Sequence, residues 1–316
     1  MCAVFGYLDY KGKVSNAILK KLIQNLSIAA EVRGTDATGI GYVNHGKVVT
    51  FKKAKPAHKV KLYFPKNTRA VIGHTRMTTQ GSEKYNHNNH PFDGRYGTET
   101  FALAHNGVLY NDAELKTKYR LPKTPIETDS YVAVQLLEQE KQLHAESIKK
   151  MAELIEGSFV FTILRNDNTL FLVKGNNPLT IYHFPKIGIY VYASTKSILD
   201  NALQQVNLSD KCCEIDVSEG EILEIAPNGK RSKTTFAMQD SIFSPYNWDD
   251  LNWYETEEQE EFLLECCQMF GVSEEDVYLL LDYGFSADEI EEMLMNTNLL
   301  KDALAEIRML EQEDAE

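Results

Sequence analysis

MCAVFGYLDY, residues 1–10, sets a cysteine directly after the first methionine and an apolar run after that. The run reads as a strand over residues 2–8. Cys2 itself has two readings. A free cysteine is most often a small, buried, inert thiol. If Met1 is trimmed, which a small second residue permits, Cys2 instead gains a free α-amino group beside its thiol. One residue then carries both a nucleophile and a base of near-neutral pKa. The rest of the chain decides between the two.

Working outward, Asn16–Ala30 has apolar residues at helical spacing, and GIGYVN (39–44) reads as the next strand. Strand-like runs recur at Lys47–Phe51, Arg69–Gly73, Thr100–His105, Ser158–Arg165, Thr169–Lys174, Thr180–His183, Ile187–Ala193 and Glu221–Ala226. Helical patterns fit Asn111–Tyr119, Asp129–Leu137, Ala145–Glu156 and Ser197–Gln205. Two groups of strands with helices between them fit a layered α+β sandwich better than a βαβ repeat. The polar stretch Thr234–Asp249 marks a linker, placed at 236–254. Beyond it the strand signals stop. Glu255–Met269, Ser273–Leu281, Ala287–Met295 and Asn298–Leu310 read as amphipathic helices, and Ser273-x-x-Asp276 offers a loose capping box. The expected domains are therefore 2–235 and an acidic all-α domain, 255–316. Within the latter, LLLDYGFSADEIEEMLMNTNLLKDAL (279–304) resembles the three-helix ubiquitin-associated fold. A plain helical bundle fits the same residues.

The net charge of −13 is unevenly spread. From Asp240 onward there are 23 acidic and 2 basic residues, which leaves the preceding part at +8. A mildly basic front and a strongly acidic tail do not make a nucleic-acid binder. No apolar stretch approaches the ~20 residues that span a bilayer, and no secretory signal is legible. A cytoplasmic location is expected. Cys212–Cys213 and Cys266–Cys267 have neither the spacing nor the nearby histidines of a zinc site. They read as structural thiols in a reducing compartment.

Four short stretches carry chemistry: RGTDATG (33–39), GHTRMTTQG (73–81), HNGVLYN (105–111) and ETDS (127–130). Alone, each has an ordinary reading. Arg33 could form a surface ion pair, Asn106-Gly107 a hairpin turn, and Asp129 a helix N-cap. Together, in this order and behind Cys2, they resemble the class II glutamine amidotransferase domain, the N-terminal-nucleophile hydrolase module. GSFVFTIL, GNNPL and ASTKSIL resemble its second half, so the likeness covers residues 2–225.

The resemblance implies a four-layer αββα sandwich and hydrolysis of the glutamine side-chain amide through a Cys2 thioester. The α-amino group of Cys2 takes the thiol proton and later protonates the departing ammonia. No separate catalytic histidine is implied, so His74, His87, His90 and His105 are left as core or loop residues. Asn106 and Gly107 match the oxyanion pair, and Arg33 the arginine beside the nucleophile. Arg76 matches the clamp on the glutamine α-carboxylate, where a planar fork suits a carboxylate. Asp129 matches the partner of the α-ammonium, and Thr79 a threonine lining that pocket. Residues 77–92 match the loop that closes over glutamine. Ala3, Met77 and Gln80 depart from glycine, tryptophan and histidine found in members of the family. No cofactor and no metal is implied.

The partner expected besides L-glutamine is a separate ammonia-accepting synthase subunit, since about 75 residues remain and no phosphate loop is seen. Assembly into a homo-oligomer is compatible with this. Two alternatives stay open. One is hydrolysis of a γ-glutamyl amide of a larger compound. The other is a non-catalytic glutamine-binding interaction protein.

Overall fold

Strand β1 (Ala3–Asp9) is buried along its whole length. Val4 and Leu8 enter one apolar layer, while Phe5 and Tyr7 enter the opposite one. The period of two along a strand forces this alternation. Burial on both faces is why the sequence there is continuously apolar.

The computed structural model describes residues 2–140, 142–206, 208 and 210–239. Further on it describes 264, 267–268, 272–283, 290, 293–294, 300–301, 303–305 and 307–308. The chain divides into two compact units, Met1–Ile242 and Phe243–Glu316.

In the first unit, β1 lies at the centre of a seven-stranded sheet. Its companions are β2 (Ala37–Asn44), β3 (Lys47–Lys53), β4 (Ala70–Arg76), β9 (Thr180–Phe184), β10 (Ile189–Ala193) and β11 (Cys213–Glu214), in the order β11-β9-β10-β1-β4-β2-β3. A six-stranded sheet holds β5 (Phe92–Tyr96), β6 (Glu99–Leu109), β7 (Gly157–Arg165), β8 (Leu170–Lys174), β12 (Glu221–Ile225) and β13 (Arg231–Thr235), in the order β13-β12-β8-β7-β6-β5. Every ladder between these strands is antiparallel.

Three apolar layers fix four layers of structure. Val4, Leu8 and Ile72 of the first sheet meet Ala102, Val160 and Leu172 of the second. On the outer face of the first sheet, α1 (Asn16–Ala29) and α5 (Lys196–Gln204) bury Leu22, Leu26, Ile198 and Leu199 against Phe5 and Val191. Over the second sheet, α2 (Asp112–Lys118), α3 (Tyr131–Gln139) and α4 (Ala145–Ala152) bury Leu115, Val132 and Ile148 against Phe161 and Phe171. The result is the αββα sandwich. Local signals start its helices: Ser15 Oγ accepts from the Ile18 N–H and caps α1, and Thr195 Oγ1 does the same for Ile198 and α5.

Three strands went unread in the sequence: β5, β11 and β13. β5 holds Asp93, Gly94 and Arg95, and β13 reads RSKTT, so neither carries an apolar face long enough to signal. Of the linker expected at 236–254, residues 236–239 are described and the rest lie outside the described residues. Phe236 is buried in the first unit's core, and the Gln239 side chain donates to the Glu153 carbonyl. Cys212 and Cys213, read above as structural thiols, are exposed.

In the second unit, α6 (Glu274–Asp282) starts on Ser273, whose Oγ accepts from the Asp276 N–H. Val277 and Leu280 share an apolar cluster with Cys267, Ile290, Leu294 and Leu304. The other expected helices fall largely outside the described residues. Among the described residues, no helix is long and apolar enough to cross a membrane.

Candidate functional site

Antiparallel pairing of β1 with β4, Ala3 opposite Thr75, brings the start of one strand beside the end of the other. Cys2 and Arg76 therefore meet at one end of the first sheet. The Cys2 thiol lies 3.3 Å from the Met77 carbonyl, to which it donates, and the Met77 N–H returns a contact at 3.4 Å. Arg33 stands in the 3-10 turn Ala30–Arg33 after α1, and its Nε donates to the Cys2 carbonyl at 2.9 Å. The rest of RGTDATG ties down the chain after β4. Asp36 accepts the Thr78 N–H at 2.7 Å, and its own N–H donates to the Arg76 carbonyl at 2.9 Å.

Burial pushes the Cys2 thiol pKa up. The Met77 N–H and the Arg76 charge pull it back, and the Asp129 charge raises it again. A thiol so placed rests protonated near neutrality and needs a base to attack.

Arg76 is buried. Its Nη1 donates to Asn89 Oδ1 at 2.7 Å, and its Nη2 to the carbonyls of Gln80 and Gly81 at 2.6 and 2.9 Å. Burial lowers its pKa, against the charges of Cys2, Asp36, Glu83 and Asp129. Asn88 fastens the same loop to ETDS: its Nδ2 donates to Glu127 Oε2 at 2.7 Å, and its Oδ1 accepts the Glu127 N–H at 2.9 Å. Thr79 is exposed at the loop surface. The hydroxyl of its neighbour Thr78 is buried with no hydrogen-bond partner among the described residues.

Asn106 and Gly107 do not form a hairpin turn. They lie inside β6, opposite Val160 and Phe159 of β7. Gly107 has φ +143°, and a β-carbon there would sit 1.9 Å from the Ser158 carbonyl oxygen. Only glycine fits both conditions. The Asn106 side chain is fully buried, and neither its Oδ1 nor its Nδ2 has a partner among the described residues. An unmet buried amide costs about 1–3 kcal/mol, which makes Asn106 a candidate functional group.

Asp129 is not a simple N-cap either. Its Oδ2 accepts the Leu109 N–H at 2.6 Å and its Oδ1 the Ser130 N–H at 2.7 Å, so it anchors the end of β6.

Three histidines join these parts from within. His74 Nε2 lies 2.9 Å from the His105 carbonyl, and His105 Nδ1 lies 2.7 Å from Ser130 Oγ. His90 stacks on His74 with ring centroids 4.2 Å apart. All three are buried, and burial lowers their pKa values, to about 3 for His74. They are neutral packing groups. His87 lies on the surface and stacks on Tyr85.

The structure thus gathers Cys2, Arg33, Arg76, Asn106, Gly107 and Asp129 into one connected region and leaves Thr79 at its rim. Sequence reading missed Asp36, Asn88, Asn89 and Ser130. Asp36, Asn88 and Asn89 bond distant backbone and Ser130 bonds the side chains of His105 and Asp129, contacts that no periodicity reveals. The Asn88-Asn89 pair inside the 77–92 loop was the one visible cue.

Comparison with known proteins bears on the family and the fold. A family model described as a glutamine amidotransferase domain matches residues 74–201. The glutamine–fructose-6-phosphate aminotransferase (isomerizing) of Bacillus subtilis is 31% identical over 219 residues, covering 67% of this chain and 35% of that protein. The 7-cyano-7-deazaguanine synthase 2 of Sulfurisphaera tokodaii is 29% identical over 251 residues, covering 75% of this chain and 53% of its own length. This chain spans only about a third of the aminotransferases it matches. Among solved structures, the glutamine phosphoribosylpyrophosphate amidotransferase of B. subtilis superposes with a TM-score of 0.58 at 21% identity, over 75% of this chain and 50% of that one. The two-sheet sandwich, the sequence likeness and the order of the motifs agree, and the chain therefore carries a class II glutamine amidotransferase domain of the N-terminal-nucleophile type.

Proposed function

We propose that this domain hydrolyses the side-chain amide of L-glutamine through a Cys2 thioester and hands the ammonia to a separate synthase. The observation that carries this is the buried, unpartnered Asn106 amide beside the Gly107 backbone, in the region that also holds a thiol, a buried arginine and a buried carboxylate. A donor pair next to a thiol suits an oxyanion. The opposite charges of Arg76 and Asp129 suit the two ends of a free amino acid.

With Met1 removed, the α-amino group of Cys2 accepts the thiol proton. Sγ then bonds to the side-chain carbonyl carbon, and the oxyanion faces Asn106 Nδ2 and the Gly107 N–H. Collapse returns the proton to the leaving nitrogen, and ammonia departs. Water, deprotonated by the same amine, then attacks the thioester and releases glutamate and the thiol. The amine has an unperturbed pKa of about 7.7–8.0 and exchanges protons readily near neutrality.

We assign residues 2–235, with the attached 236–239, to this domain, the following stretch to 254 to a linker, and 255–316 to an acidic helical domain. Free cysteines, two of them exposed, favour a reducing cytoplasm. An ammonia acceptor is supported by the relatives, in which the matching region is part of a protein named for a synthetic reaction; that it is a separate chain here is part of the proposal.

The test is ammonia release from glutamine by protein with Cys2 at its amino terminus, together with mass spectrometry after treatment with a glutamine-like electrophile. Ammonia and an adduct on Cys2 are expected. Absence of both from a folded protein overturns the reading.

A further inference from the structure

The peptide bond between Asn106 and Gly107 has its own support, which none of the four motifs supplies. Asn177, buried in the turn after β8, donates from Nδ2 to the Asn106 carbonyl at 2.9 Å. It also packs against the next residue, since a β-carbon at Gly107 would lie 2.7 Å from the same Nδ2.

That carbonyl and the Gly107 N–H belong to one planar unit. Holding the oxygen therefore fixes the direction of the hydrogen. The direction can be read from the ladder. Phe159, opposite Gly107, sends its N–H to Asn176 Oδ1 at 3.1 Å and receives the Gly175 N–H at 3.1 Å. Both bonds lie on the side of β7 away from β6, so Phe159 and Gly107 form a non-hydrogen-bonded pair. The Gly107 N–H then points away from β7, on the edge of β6 where the His105 carbonyl meets His74 and the Leu109 N–H meets Asp129. Asn177 is itself held in place, because Gly175 and Asn176 before it are bonded to Phe159.

We propose that Asn177 is a positioning residue for the oxyanion site: its amide locks and polarises the Asn106–Gly107 peptide so that the Gly107 N–H is aimed at the charge that develops on the substrate carbonyl. A hydrogen bond to a carbonyl strengthens the N–H at the other end of that peptide. The support is made before substrate arrives and costs no rearrangement during reaction. The inference rests on the amide-hydrolase reading of Cys2.

Two variants of the full chain, with Cys2 amino-terminal, test it. Asn177→Ala removes the donor. Asn177→Asp keeps the volume but sets a carboxylate against the Asn106 carbonyl, and it carries the test if the alanine variant does not fold. Each is expected to lower kcat for glutamine roughly tenfold or more, with KM changed less than about twofold, the pattern of a contact felt only in the transition state. The aldehyde analogue of glutamine supplies the second readout. Its carbonyl carbon bonds to Cys2 Sγ, the thiol proton passes to the carbonyl oxygen, and that oxygen occupies the oxyanion site. Its affinity should fall by the same factor as kcat, while L-glutamate binding is unchanged. A kcat within twofold of the parent overturns the proposal, as does equal weakening of aldehyde and glutamate, which a merely structural role would give. A parent protein that folds but neither releases ammonia nor captures the aldehyde on Cys2 overturns the amide-hydrolase reading instead, and this proposal with it.

Discussion

At the scale of single residues, the site depends on a few atoms with no substitute. Cys2→Ala should still bind glutamine, because Arg76 and Asp129 remain, yet release no ammonia; calorimetry beside an ammonia assay separates the two effects. Gly107→Ala forces a β-carbon to within 1.9 Å of the Ser158 oxygen at a φ of +143°. We expect a loss of more than about 2 kcal/mol in unfolding free energy and a fall in kcat on the order of a hundredfold. Denaturant titration and steady-state kinetics measure each. Arg76→Lys replaces a fork that serves Asn89, Gln80 and Gly81 with a point charge. KM for glutamine should rise about tenfold or more while kcat falls less; an unchanged KM would remove Arg76 from substrate binding.

At the scale of elements, the loop after β4 is governed by a clasp rather than by its own propensity. Asn88 and Glu127 bond reciprocally, side chain to backbone and side chain to side chain. Asn88→Ala should free residues 77–89 from the segment leading to α3, raising KM and speeding proteolysis within the loop; peptide mapping after brief protease treatment reads this. Such clasps mark where sequence reading stops. β1, β7 and β10 were legible because burial on both faces leaves continuous apolar runs. Cys2, Arg76 and Asn106-Gly107 could be singled out as candidates because their motifs stand in a fixed order. The strand expected at Thr100–His105 ended one residue short of Asn106, since Asn-Gly signals a turn locally and only pairing with β7 overrides it. The contacts of Asn88, Asn89 and Asn177 could not be read, even though the Asn88-Asn89 pair and GNNPL stand out, because a polar residue bonded to a distant segment has no local signature.

At the scale of the whole molecule, three neutral histidines lie inside the sandwich. Their folded-state pKa values are lowered, so below about pH 6.5 the unfolded chain binds more protons than the folded one. Stability is therefore full above pH 6.5 and falls as pH drops, for His74 until about pH 3. Each histidine contributes up to about 1.4 kcal/mol per pH unit. His90, with both ring nitrogens unpartnered among the described residues, is the one to remove. In His90→Phe the stability difference between pH 7 and pH 5 should shrink by about 2 kcal/mol, and an unchanged difference in urea titrations would refute the assignment.

The central place of β1 has a consequence in time. Its two neighbours are β4, ending at Arg76, and β10, beginning at Ile189. During synthesis at roughly 5–20 residues per second, β10 emerges about 10–40 s after β1. For that interval one edge of β1 has no partner, so the stretch that begins with Cys2 stays accessible until β10 arrives and the sheet closes around it.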